Sequence, residues 1–130
     1  ALLNVRLCVG AELAGKLTGN AIRVPVPNVS LAILNLTLET EATVADINTV
    51  LRDASMSVDL GEQIDYTTST ELVSSDLVGA DRTSIVDSQA TIADRDRCVL
   101  YVWYDNEAGY SYQVVRVVQE IAGLTYPRVP

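Results

Sequence analysis

The sequence predicts an α+β domain in which helices cover one face of a mainly antiparallel sheet. Three observations lead there. Ser30 to Glu39 and Arg97 to Trp103 are short runs with apolar side chains on both faces, as strands have, whereas Thr43 to Ser55 and Tyr112 to Ala122 repeat their apolar residues at helical spacing. The segments follow the order strands, helix, more strands, closing helix. The β–α–β spacing of a dinucleotide fold is missing and no GxGxxG occurs, so this chain does not itself hold the adenine half of a nucleotide.

In chain order, Leu3, Val5, Leu7 and Val9 alternate like a strand, while Leu3, Leu7 and Ala11 also fit one face of a helix; periodicity leaves both open, and helix is the expectation adopted. Leu17 to Pro25 reads as a strand stopped by Pro25 and Pro27, because proline cannot donate to a ladder and restricts the residue before it. On Ser30 to Glu39, Ala32, Leu34, Leu36 and Leu38 share one face and Leu31, Ile33, Asn35 and Thr37 the other, so both faces are expected to meet protein. Thr43 and Asp46 stand in the spacing of a capping box, and Val44, Ile47, Val50, Leu51 and Ala54 recur on one side, leaving Asp46, Asn48, Arg52 and Asp53 for water. Gln63 to Thr91, rich in Thr, Ser, Ile and Val, suits two or three strands. Asp94-Arg95-Asp96 reads as a solvated turn before the strand Arg97 to Trp103. Gly123 closes the terminal helix.

Composition narrows the function. A chain of 130 residues with 48% apolar content is a single domain able to bury a core. Seventeen acids against nine bases give a formal charge of −8, which opposes nucleic acid and anionic membrane surfaces. No apolar run reaches about twenty residues and no signal-peptide pattern is present, which predicts a cytoplasmic protein. Cys8 and Cys98 lie outside any CxxC pair and the chain has no histidine, so metal binding is not expected and both cysteines read as structural. The start at Ala1 suggests part of something longer.

Two places carry unusual polar chemistry. In Trp103-Tyr104-Asp105-Asn106-Glu107-Ala108-Gly109-Tyr110-Ser111, Asn106 offers a donor and an acceptor on one plane, the complement of a carboxamide; an Asx turn after a strand is the other reading. On the first predicted strand Gly19, Ala21 and Arg23 share a face, where two small side chains leave room beside a guanidinium for a tetrahedral anion; a solvated strand arginine is the alternative.

These stretches, WYDNEAGYS and Gly15 to Ser30 (GKLTGNAIRVPVPNVS), resemble two signature segments of phosphorylating glyceraldehyde-3-phosphate dehydrogenase, in the right order and about ninety residues apart. Leu72-Val73-Ser74-Ser75-Asp76 and Ile85-Val86-Asp87 between them are similar too, and Tyr101-Val102-Trp103 and Leu34 to Glu39 look more like the longer bacterial branch than the common glycolytic form. The resemblance covers roughly residues 10 to 123 and leaves out Leu3 to Val9. It implies the C-terminal part of a catalytic domain, with the nucleotide-binding domain and the cysteine and histidine of catalysis lying before Ala1. None of this chain's residues is then a catalytic group. By the resemblance Arg23 binds the attacking phosphate, Asn106 fixes the nicotinamide amide, Tyr110 lines the nicotinamide, Tyr104 packs near the catalytic histidine, Glu107 holds the turn and Gly109 meets a backbone requirement.

Further implications are NAD or NADP as cofactor of the full-length enzyme, with no tight binding by this chain, glyceraldehyde 3-phosphate or erythrose 4-phosphate as substrate, inorganic phosphate as co-substrate, and a tetramer. Two departures stand out. Ala108 replaces the family's large aromatic ring, and Arg82-Thr83 replaces a pair that often contains histidine. A non-catalytic assembly module, whose sheet serves to join subunits, is the competing function.

Overall fold

The computed structural model describes residues 19–124. In chain order they form β1 (Ser30–Thr37), α1 (Val44–Ser55), β2 (Ile64–Thr67), β3 (Ser84–Asp87), β4 (Ile92–Asp94), β5 (Arg97–Tyr104) and α2 (Ala108–Ile121), with 3-10 turns at Ser74–Leu77 and Ser88–Ala90. The sheet runs β1-β5-β3-β2, and β4 pairs with the first part of β5. The fold is α+β, as its sequence predicts.

β5 is the centre of the sheet. It lies antiparallel to β1 from Ser30 opposite Tyr104 to Thr37 opposite Arg97, and antiparallel to β3 and β4 on its other side. β2 and β3 are parallel, so the sheet is mixed; residues 68–83 supply the crossover that a parallel pair needs. The buried apolar residues follow from this order: Ile85 and Val86 on β3, Cys98 and Leu100 on β5, and Val29 at the entry to β1. Burial pushes the Cys98 thiol pKa up, which keeps it a protonated core side chain. Cys8 lies outside the described residues.

β1 is an edge strand, and Leu31 (38%), Ile33 (52%), Leu34 (41%) and Leu36 (39%) remain substantially exposed. The expectation that both its faces meet protein is therefore not met among the described residues. Gly19 to Pro25 form no strand, which corrects the reading of Leu17 to Pro25 as one. The edge of β5 is already occupied by β1 from Ser30 onward, and a strand without a partner cannot satisfy its backbone. Instead Val26 N–H donates to Val24 O at 2.9 Å, a tight turn centred on Pro25. The predicted N-terminal helix lies outside the described residues.

α1 starts as predicted. Asp46 N–H donates to Thr43 Oγ1 at 3.2 Å, while the Thr43 hydroxyl and N–H donate to Asp46 Oδ2 at 2.6 and 3.0 Å, and these two bonds to the carboxylate, the hydroxyl's first, lower the Asp46 pKa. Ile47, Leu51 and Ala54 are half-buried, but Val50, assigned to the same stripe, is 67% exposed. Asn48 does not face water: its Nδ2 donates to Ser88 O at 3.2 Å and its Oδ1 accepts from the buried Thr91 hydroxyl at 2.9 Å. The polar groups of the adjoining 3-10 turn need partners, and Asn48 is within reach. The turn at Arg95-Asp96 is exposed as predicted, and its carbonyls accept from Ala42 and Leu38 N–H. At the far end Gly123 has φ +68°, the left-handed conformation expected of a helix stop. Among the described residues no helix is long and apolar enough to cross a membrane.

Candidate functional site

The site grows from the turn that joins β5 to α2. The β1–β5 ladder ends with Ser30 opposite Tyr104, and extending that register sets Asp105 opposite Val29 and Asn106 opposite Asn28. Asp105 is only 3% exposed. Its Oδ1 accepts from Glu107 N–H at 2.8 Å and Ala108 N–H at 2.9 Å, and its Oδ2 accepts from Gly79 N–H at 2.9 Å and Asn28 Nδ2 at 2.9 Å. Four donors on one carboxylate favour its charged form. The Gly79 amide contributes most, followed by Ala108, with Glu107 and Asn28 adding to them against the opposing effect of burial, and together they hold the Asp105 pKa down at about 2.

This arrangement corrects the assignment of the turn to Glu107. Glu107 is exposed and its side chain makes no hydrogen bond among the described residues; its backbone carbonyl accepts from the Ser111 N–H and hydroxyl. Asp105 holds the turn instead. The available signal is an aspartate just past the end of a strand, two and three residues ahead of the Glu107 and Ala108 amides. The Asx turn in this stretch is made by Asp105, one residue earlier than Asn106.

The other candidates fall as follows. Asn106 is exposed, and its side-chain amide forms no hydrogen bond among the described residues, so donor and acceptor both remain available. Tyr110 lies on the first turn of α2 and is 71% exposed. Tyr104 is half-buried at the end of β5. Asn106, Tyr110, Tyr104 and Glu107 are thus gathered at one strand-to-helix junction. Arg23 is exposed, without an ion pair among the described residues, on the irregular segment that leads five residues later to Asn28 and its bond to Asp105. With no strand over Gly19 to Pro25, Gly19, Ala21 and Arg23 do not share a strand face, while the Arg23 guanidinium remains exposed.

α2 is seated by close approach and charge. Gly109 is buried, and a Cβ there would come within 3.0 Å of Arg82 O, so the backbone requirement is one of space. Gln113 Nε2 donates to Glu62 O at 3.2 Å, the Arg116 guanidinium donates to the same carbonyl, and Arg116 Nε lies 3.5 Å from Glu62 Oε2. Arg82 Nε donates to Gly61 O at 2.7 Å and Thr83 Oγ1 to Gln63 O at 2.9 Å, which gives both residues of the Arg82-Thr83 departure a structural part.

A family profile described as the C-terminal domain of glyceraldehyde 3-phosphate dehydrogenase matches residues 4–106, ending on the exposed asparagine of this turn. The chain belongs to the glyceraldehyde 3-phosphate dehydrogenase family. It is 58% identical over 118 residues to a glyceraldehyde-3-phosphate dehydrogenase-like protein of Pseudomonas aeruginosa (strain UCBPP-PA14), covering 91% of this chain and 26% of the relative. To the glyceraldehyde-3-phosphate dehydrogenase of Chlamydia pneumoniae it is 42% identical over 118 residues, 90% of this chain and 34% of that protein. To the cytosolic enzyme of Ranunculus acris it is 46% identical over 107 residues, 82% and 31%. The chain spans between about a quarter and a third of the length of these relatives.

Since 118 residues make a smaller share of the Pseudomonas protein than of the Chlamydia one, the former is the longer, in line with the resemblance of Tyr101-Val102-Trp103 to a longer bacterial branch. The profile begins at residue 4, which corrects the exclusion of the first ten residues: most of Leu3 to Val9 lies within this glyceraldehyde 3-phosphate dehydrogenase domain.

Proposed function

We propose that this chain is the C-terminal part of the catalytic domain of an NAD- or NADP-dependent phosphorylating dehydrogenase, with glyceraldehyde 3-phosphate as the first candidate substrate. The observation that carries the proposal is the contrast at the β5–α2 turn, where Asp105 is buried and bonded to four donors while the neighbouring Asn106 amide is exposed and without a hydrogen bond among the described residues. An exposed amide held at such a turn is suited to a planar carboxamide, and so to orienting a nicotinamide. The nicotinamide, when bound, supplies the hydride acceptor. Tyr110, exposed one helical turn further on, gives that ring an apolar wall. Arg23 presents an exposed guanidinium to inorganic phosphate, the acceptor of the acyl group. Tyr104, half-buried at the end of β5, stands next to the turn. The chain has no histidine, so a histidine base, and with it the cysteine nucleophile, belongs to the remainder of a longer protein. The exposed apolar residues of β1 support assembly into a tetramer through the sheet, in the cytoplasm.

A hybrid tests this directly: the present chain replaces the matching residues of the Priestia megaterium glyceraldehyde-3-phosphate dehydrogenase, to which it is 44% identical. The hybrid should reduce a nicotinamide nucleotide in the presence of glyceraldehyde 3-phosphate and phosphate, and the present chain by itself should not. Arg23→Ala in the hybrid removes a charge-assisted pair of about 1.5–3 kcal/mol and should raise the KM for phosphate, and for arsenate, roughly tenfold to a hundredfold. Asn106→Ala should raise the KM for the nucleotide about tenfold. Unchanged phosphate dependence would leave Arg23 a surface residue, and turnover by the pure chain would overturn the division of labour. Assembly has its own test: the chain should sediment as a dimer or larger at micromolar concentration, with Ile33→Asp weakening association more than Arg52→Asp.

A further inference from the structure

We infer that Asp105, joined to Asn28, is a positioning residue that sets Asn106 against the segment carrying Arg23; the inference rests on the assignment of those two side chains to nicotinamide and phosphate. Capping α2 would need only one oxygen of Asp105, and Oδ1 performs it through Glu107 and Ala108 N–H. Oδ2 contributes nothing to the helix. Its two donors, Gly79 N–H and Asn28 Nδ2, come from loops 26 and 77 residues away in sequence. One ionised group therefore gathers the approach to β1, the loop before β3 and the start of α2.

The consequence for Asn106 follows from its lack of bonds. A side chain with no hydrogen bond among the described residues takes its direction from its backbone, and that backbone is flanked by Asp105 and by the Glu107 N–H that Asp105 holds. Between Gly19 and Val29 the Arg23 segment has no ladder partner among the described residues, and Asn28 fastens its end. Val29, next to it, sits at φ 71°, a left-handed conformation that a β-branched residue keeps only where its surroundings impose it. Burial of Val29 and the Asn28–Asp105 bond are what impose it here. Asp105 touches neither ligand in this arrangement and acts through its neighbours.

The test pairs kinetics in the hybrid with amide hydrogen exchange in the present chain. Asn28→Ala should raise the KM for the nicotinamide nucleotide about three- to tenfold, raise the KM for phosphate similarly, and change kcat less than twofold. Combined with Asn106→Ala it should raise the nucleotide KM little beyond Asn106→Ala by itself, since both act on one contact. In the chain, the Gly79, Glu107 and Ala108 amides should exchange faster. Asn28→Asp keeps the side-chain shape but sets a second carboxylate against Oδ2, and should have at least the effect of the alanine. Faster exchange with both KM values unchanged would overturn the positioning role and leave the functional assignment standing, as would effects that multiply in the double variant. A nucleotide KM insensitive to Asn106→Ala would instead remove the assignment on which the inference rests.

Discussion

The two helices begin in different ways. α1 is capped by Thr43 and Asp46, neighbours three residues apart and both exposed. α2 is capped by Asp105, which is buried and spends half its bonding on Asn28 and Gly79. A local cap stabilises the helix that carries it. A cap shared with remote loops makes the start of the helix, the entry to β1 and the loop at Gly79 depend on one another, and this second kind stands beside the candidate site.

The largest effect is expected from Asp105→Ala, which leaves four donors without an acceptor at a buried position. It should destabilise the chain by about 3 kcal/mol or more, seen as a lower urea midpoint. Acid should reproduce much of that effect. The folded pKa of Asp105 is depressed to about 2 from 3.8, so its contribution is complete above about pH 5 and is lost as pH falls towards 2, on the order of 2 kcal/mol. Asp105→Asn should flatten that step in urea titrations at pH 5, 4, 3 and 2. A step of unchanged size would place the charge elsewhere.

Next in size is Gly109→Val. Any Cβ at that position crowds the Arg82 carbonyl, so the helix start or the Arg82 loop must give by a few tenths of an ångström, and the branched valine should cost about 1–3 kcal/mol. Its signature is loss of the Arg116 contacts with no change in α1, read by amide exchange. The smallest effect belongs to Thr43→Ala, which should cost about 1 kcal/mol and quicken exchange in the first turn of α1 only. Propagation of that change to Gly79 would erase the distinction between the two caps.

The distinction also accounts for what could be read in advance. The capping box at Thr43, the stop at Gly123 and the strand at Arg97 rest on contacts a few residues apart or on continuous apolar character, and each lies where its pattern predicts. α2 begins at Ala108, four residues before the predicted Tyr112. Its apolar repeat starts late, while the bond that starts the helix comes from Asp105, whose burial no local pattern announces. The sequence leaves Asn48 to water for the same reason, since its partners Ser88 and Thr91 are about forty residues away. The signature stretch points to Glu107 for the turn, yet only the folded chain shows that Asp105 is the buried acid there.

The α+β class and the family were legible in the sequence alone, because periodicity, caps and signature spacing are properties of neighbouring residues. The tertiary structure decided the parallel pairing of β2 with β3, the absence of a strand between Gly19 and Pro25, and the convergence of Asn28, Gly79 and the start of α2 on Asp105. The physical reason is register. Once Ser30 stands opposite Tyr104, the residues beyond both strand ends are brought side by side, and a carboxylate buried among their donors remains charged only because those donors arrive from across the fold.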